Sequence, residues 1–228
     1  MPIPSPIRLA GADLLPDPSG ALFWPAEGVL AVADLHLEKG SGFAARGLLL
    51  PPYDTRATLD RLAEAIARTR PRTVLALGDS FHDRRAADRM GADDRARLRT
   101  LTAATAWVWI TGNHDPEPPE GLGGRVAAEV RLGPLVFRHA AVPGDAGEVS
   151  GHLHPAAAVM VPGRRVRERC FADDGAKLIL PAFGAFAGGL NVLDPAISGL
   201  LRGDFQVHLL RGGKLLPFPR RRLSPDPA

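Results

Sequence analysis

The sequence predicts an α/β protein built on two mixed β-sheets flanked by helices, and three observations carry that expectation. Three continuous apolar runs, Val29 to Ala33, Thr73 to Leu77 and Trp107 to Thr111, alternate with segments of helical period in the first half of the chain. Runs of this kind suit strands covered on both faces. Their β-α-β-α-β order with short links implies parallel pairing through right-handed crossovers. The second half has a different character, with short strand-like stretches between glycine- and proline-bearing turns, as expected of a second sheet facing the first. Finally, each apolar run ends in polar side chains, which is where open α/β sheets hold ligands.

The composition narrows the setting. With 228 residues, 45% of them hydrophobic, the chain can bury a substantial core, and one domain over residues 1–222 is expected, followed by a flexible tail at 223–228. The single cysteine, Cys170, leaves no internal disulfide and no thiolate cluster, so a metal would be held by nitrogen and oxygen, and a reducing, cytoplasmic setting is expected. The N-terminal stretch lacks a basic segment followed by an apolar one, and no run of about 18 apolar residues is present, so no membrane association is expected. The net charge of +3 is modest, but 28 Lys and Arg and the ending RGGKLLPFPRRRLSPDPA would suit a polyanionic partner without requiring one.

Taken in order, Ile7 to Leu9, Ala12 to Leu15 and Ala21 to Trp24 suggest an opening set of strands around the turn PDPSG. Val29 to Ala33 is the first buried strand and ends at Asp34 and His36. After a loop, Asp54 or Thr55 is expected to cap a helix carrying Leu59, Leu62 and Ile66 on one face, stopped by Pro71. Thr73 to Leu77 is the second buried strand, Asp93 to Ala104 the next helix, and Trp107 to Thr111 the third strand. RVAAEVRL, PLVFRH, AAAVMV, RVRERCFA and AKLILP are candidate strands of the second sheet, and FQVHLL with KLLPF forms a closing hairpin.

Six of the seven histidines fall in polar clusters at these strand ends. Asp34 and His36 stand one residue apart and can face the same edge. Asp79 follows Gly78, where the backbone can turn sharply. Asn113 offers an amide oxygen, His114 lies beside it, and His139, His152 and His154 complete the set. Singly, Asp79 reads equally well as a helix cap, Asn113 as a turn residue and His139 as a core histidine; their joint occurrence points to metal. Carboxylate, amide and imidazole delivered from several strand ends are what a pair of divalent cations needs, with one carboxylate reaching both.

Asp34-x-His36, Gly78-Asp79, Gly112-Asn113-His114-Asp115, His139 and Gly151-His152-x-His154, in this order, resemble the calcineurin-like binuclear metallophosphoesterases. DLHLEKGSGFAARG, GDSFHD and PAFGAFAGGLNV are similar to the branch of bacterial ligase-associated DNA damage response endonucleases. The resemblance implies a metallophosphoesterase-like sandwich of two mixed sheets. It assigns one metal to Asp34, His36 and His154, a second to Asn113, His139 and His152, and a bridging role to Asp79. Two cations roughly 3.5–4 Å apart lower the pKa of a shared water and stabilise the attacking and leaving oxygens of a phosphodiester. His114, left free, would donate a proton or hydrogen bond near the leaving oxygen. Oxygen and nitrogen donors suit manganese, iron or zinc, and the resemblance favours manganese. It further implies single-stranded DNA as substrate and a DNA ligase and helicase as functional associates.

The remaining motif residues divide between support and substrate. His82 and Asp83 are expected to support the site, with a place near the substrate as the alternative for either, Asp115 to orient its turn, and His208 to be structural or exposed. Lys39, Arg46, Arg84 and Arg85 stand after the metal-bearing strand ends, where they meet phosphates or form a solvated face. In PAFGAFAGGLNV, packing a tight bend is favoured over stacking a base. The main alternative function is hydrolysis of a small phosphoester, such as a nucleotide, dinucleotide or lipid pyrophosphate. A scaffold with a decayed metal site fits poorly, because no expected ligand is missing.

Overall fold

The computed structural model describes residues 5–115 and 121–227. Seven strands form the first sheet in sequence order: β1 (Ile7–Leu9), β2 (Ala12–Pro16), β3 (Leu22–Trp24), β4 (Val29–Val32), β5 (Thr73–Leu77), β6 (Ala106–Ile110) and β7 (Arg125–Ala127). β1 to β4 pair antiparallel, and β4 to β7 pair parallel. The second sheet holds β8 (Glu129–Leu132), β9 (Leu135–Arg138), β10 (Glu148–Ser150), β11 (Pro155–Val161), β12 (Arg164–Asp173), β13 (Lys177–Ile179) and β14 (Leu190–Asn191). The hairpin β15 (Gln206–Arg211) and β16 (Lys214–Pro219) extends it from β12, while β17 (Leu223–Ser224) pairs with β11. The helices are α1 (Lys39–Ala44), α2 (Asp54–Thr69), α3 (Ala86–Arg89), α4 (Ala92–Ala103) and α5 (Pro195–Ser198).

The alternation of strand side chains sorts the core into layers. Val29 and Ala31 of β4 meet Leu135, Phe137, Val149, Phe171 and Leu178 from the second sheet. Leu30 and Val32 point the other way, onto Leu59, Leu62 and Ala65 of α2 and Leu98 of α4. A third apolar layer covers the far side of the second sheet with Ile197, Leu201 and Phe205. Each fully buried Leu contributes about 1.5–3 kcal/mol, so the two-sided burial of β4 and β5 anchors the strands whose ends carry the polar clusters.

Several elements depart from the sequence reading for identifiable reasons. RVAAEVRL is two strands: β7 joins the first sheet and β8 the second, with Ala128 between them. The α2 cap is not a side-chain cap, for Tyr53 holds that position without one. Asp54 instead accepts from Gly40 N at 3.0 Å and Thr55 from Glu38 N at 2.8 Å, because the loop after His36 has its own backbone donors to satisfy. At the other end Arg70 adopts a left-handed conformation and Pro71 follows, as expected. α1 was legible only as loop, since its two glycines argue against helix; Gly40 and Gly42 are buried and pack closely on Asp54 and on the His82 ring. The tail expected to fray from residue 223 is held, because Leu223–Ser224 pair with Ala158 and Val159, and Asp226 contacts Arg165 at 2.6 Å and Arg167 at 3.0 Å.

Candidate metal centre

β4, β5 and β6 are parallel neighbours, so Asp34 and His36, Asp79, and Asn113 and His114 emerge at adjacent carboxyl ends. β9 delivers His139 to the same place from the second sheet, and its parallel neighbour β10 delivers His152 and His154. Five of the expected ligands have left-handed backbones: Asp34 (φ 54°), His36 (42°), Asp79 (48°), His152 (69°) and His154 (48°). Such a conformation costs an L-residue about 1–2 kcal/mol, so its clustering here requires surroundings that impose it. Backbone bonds between the loops do so. His36 N donates to Asp79 O at 2.9 Å, Gly151 N to His139 O at 2.9 Å, and Gly184 N to Asp34 O at 3.0 Å. Gly78, at φ 76°, lies so near His139 that a Cβ would strike the imidazole, which is why glycine precedes Asp79.

Two donor groups result. Asp34, His36 and His154 present ligand atoms within 4.8 Å of one another, as do Asp79, His139 and His152. His36 Nε2 lies 3.2 Å from His154 Nε2, and His154 Nε2 lies 3.6 Å from Asp34 Oδ1. In the other group His139 Nε2 lies 3.0 Å from His152 Nδ1 and 2.9 Å from Asn113 Oδ1. Asp79 faces both, with Oδ2 at 4.0 Å from His36 Nε2 and Oδ1 at 3.5 Å from His139 Nε2.

The donors fit divalent cations. His139 Nδ1 donates to the Leu77 carbonyl at 3.0 Å, which leaves a lone pair on Nε2 directed at the Asn113 oxygen and the His152 nitrogen. Lone pairs converging at such distances call for a cation among them. Burial pushes the His36 imidazole down to about 2, with His154 and Lys39 adding to the effect, and its Nδ1 is buried without a hydrogen-bond partner among the described residues. Burial also lowers His152. Both rings are therefore neutral, as ligands must be.

The neighbours hold the loops in place. Asp115 Oδ2 accepts from Ser80 N at 2.8 Å and Phe81 N at 3.1 Å, which pins the turn after Asp79. Burial, helped by the Asp79 charge and opposed by the backbone donors, pushes this carboxyl up to about 7. His114, the candidate proton donor, has an exposed ring whose Nδ1 donates to His82 O at 2.9 Å and whose Nε2 is 4.0 Å from Asp79 Oδ2. The His82 ring stacks between His114 and Phe43, at centroid distances of 5.8 and 5.7 Å. Asp83 is paired with Arg89 at 2.8 Å. His208 is outside the centre, buried against Asp173 at 3.1 Å.

Two arginines of this support were not foreseen. Arg169 Nη1 donates to Ala182 O at 2.7 Å and Gly184 O at 3.2 Å. Arg61 donates to Phe183 O and lies 4.6 Å over the Phe183 ring. Segment 182–184 is thereby strapped against Ala33 and Asp34, with Phe183 N donating to Ala33 O at 2.8 Å. Phe183 is fully buried, so this motif packs a bend and does not offer that ring to a base. Arg61 is separated from Phe183 by 122 positions and sits on a helix of ordinary amphipathic pattern, so no local signal marked it.

Residues 28–157 match the family described as calcineurin-like phosphoesterase, a stretch that takes in every candidate ligand. The chain belongs to the calcineurin-like phosphoesterase family. As a calcineurin-like phosphoesterase it is a hydrolase of phosphoric esters, with donor groups for two divalent cations. Its structure is similar to that of a nuclease, MPE from Pseudomonas putida, at 31% identity and a TM-score of 0.73, covering 94% of this chain and 99% of that one. It is also 34% identical over 95 residues to the 3′,5′-cyclic adenosine monophosphate phosphodiesterase CpdA of Pseudomonas aeruginosa, covering 40% of this chain. That match spans only 31% of the curated relative's length.

Proposed function

We propose that this calcineurin-like phosphoesterase is a manganese-dependent endonuclease that cleaves single-stranded DNA in repair, alongside a DNA ligase and helicase. The observation that carries the reading is the likeness to the Pseudomonas putida nuclease, which extends over nearly the whole of both chains. In this reading Asp34, His36 and His154 would hold one cation, Asn113, His139 and His152 the other, and Asp79 would serve both. When bound, the two cations activate a shared water and stabilise charge on the phosphodiester oxygens. The chain's own residues orient and protonate. A water oxygen forms a bond to phosphorus and releases its proton to solvent as the ester P–O bond breaks, and His114, protonated on both ring nitrogens, gives its Nε2 proton to the departing oxygen. The bond from His114 Nδ1 to the His82 carbonyl supports this role, since it leaves Nε2 facing the donor groups.

Incubating manganese-loaded protein with labelled single-stranded DNA, duplex DNA and a chromogenic diester in parallel tests the proposal. Internal cleavage of the single strand in preference to the duplex is expected. Hydrolysis of the small diester with both DNAs left intact would rule the endonuclease out. That outcome would favour a small-molecule phosphoesterase, a reading supported by the partial match to the cyclic-nucleotide enzyme; adding a cyclic nucleotide to the same series tests it directly.

A further inference from the structure

Among the described residues, four of the exposed large apolar side chains fall in one stretch: Leu48, Leu49, Leu50 and Tyr53 are 59%, 88%, 37% and 68% exposed. Val126, Val142 and Met160 are scattered singly, as on any surface. A contiguous apolar stretch marks a contact surface. This one begins at the end of α1, where Leu48 N donates to Phe43 O at 3.0 Å. From Phe43 a file of rings leads through His82 and His114 to the donor groups. The apolar loop is thus joined to the metal centre by a single short helix and a ring stack.

Cations stand on both stretches of chain that supply the file. Lys39 opens α1 and Arg46 lies just beyond its end, while Arg84 and Arg85 follow His82 and Asp83. Lys39 and Arg46 lie near enough for their charges to be felt at the His82 ring. None of the four takes part in an ion pair among the described residues, whereas Arg89 of the same neighbourhood is bound to Asp83.

We propose that the 47–53 loop and these four cations form a docking surface for an unpaired nucleic-acid strand entering the metal centre. Phosphates lie on Lys39, Arg46, Arg84 and Arg85, and bases rest on Tyr53 and the leucines. This rests on the endonuclease reading and names the part of the molecule that would select its substrate. A cationic track without ion pairs among the described residues, beside exposed apolar and aromatic side chains, matches a polyanion whose base faces are free. A duplex has the same phosphates but keeps its base faces stacked, so the loop would go unused. A small phosphoester would not engage the loop.

Steady-state kinetics of the manganese-loaded protein test this with a single-stranded oligonucleotide and a bis-p-nitrophenyl diester. Tyr53→Ala should raise KM for the oligonucleotide roughly 5- to 100-fold, the worth of one base stack, with kcat and diester kinetics little changed. Leu49→Ser should act in the same direction and Tyr53→Phe should behave as wild type; circular dichroism checks that each exposed substitution preserves the fold. Arg46→Gln should flatten the salt dependence of kcat/KM by about 0.7 in log–log slope, because one phosphate would no longer be neutralised by the protein. Oligonucleotide KM unchanged by Tyr53→Ala, in a wild type that cleaves DNA, overturns the proposal. So does a wild-type dimer dissociated by Tyr53→Ala with unchanged oligonucleotide kinetics, which would assign the loop to self-association. A wild type that cleaves the diester and neither form of DNA removes the endonuclease reading first, which separates the two failures.

Discussion

Asp79 Oδ1 accepts the backbone N–H of His114 at 2.9 Å, which ties the carboxylate ending one strand to the loop ending the next. The same carboxylate faces His36 on one side and His139 on the other. Asp79→Ala should therefore lose both cations and reduce hydrolysis to background. His208→Ala, whose ring pairs with Asp173 outside both donor groups, should keep a rate close to wild type. Metal stoichiometry and diester hydrolysis measure both; comparable losses in the two variants at matched folding would mean that the donor clusters are misidentified.

His114→Ala should retain both cations and lose roughly 10²–10⁴-fold in rate on DNA, the usual contribution of general acid catalysis. The loss should shrink on a p-nitrophenyl diester, whose leaving group departs without a proton. An equal loss on both substrates would leave His114 a positioning role, and a lost metal would make it a ligand.

The arginine strap yields a separate expectation. Arg169→Met would leave the carbonyls of Ala182 and Gly184 without their buried donor, at a cost of about 1–3 kcal/mol. Because segment 182–184 braces the backbone of Asp34, metal affinity should fall as well, by about 10-fold or more. Chelator competition measures the affinity and thermal melting the stability. Lowered stability with unchanged affinity would confine Arg169 to a structural role.

Acid should destabilise the metal-free protein through His36. Its folded value of about 2 lies below the 6.5 of a free imidazole, so below pH 6.5 the unfolded chain takes up a proton that the folded chain refuses. That contribution to stability is complete above pH 6.5 and is lost as pH falls toward the folded value. Asp115 acts in the opposite sense: pushed up from 3.8 to about 7, it holds a proton when folded, and its contribution is lost as pH rises through 7. Urea unfolding between pH 6.5 and 3.8 should show a shallower acid loss in His36→Gln and a steeper one in Asp115→Asn than in wild type. Parallel profiles in all three proteins would contradict the assignment.

The parts legible in the sequence are those governed by local pattern. β4, β5 and β6 announce themselves as continuous apolar runs, and the residues after them follow from where such strands end. What was not legible depends on partners remote in the chain. β10 is three residues long and is a strand only because β9 and β13 lie on either side of it. RVAAEVRL has one uniform pattern yet divides between two sheets, a choice that no periodicity encodes. At the centre, the residues that converge could be named from residue type and order. Their left-handed backbones and the Arg61 and Arg169 support could not, because both arise from contacts between separate segments, 13 positions apart for Arg169 and 122 for Arg61.

The division at Ala128 has a mechanical consequence. Asp34, His36, Asp79 and Asn113 hang from the sheet that ends with β7, whereas His139, His152 and His154 hang from the one that begins with β8. Bound cations would therefore act as rivets between two plates, adding to cohesion with the logarithm of free metal, by about 2.7 kcal/mol per site at a hundredfold excess over Kd. A chelator would pull those rivets, and the plates would begin to part along the edge where the reaction takes place. Scarcity of metal would thus shorten the lifetime of the folded protein as well as idle its chemistry.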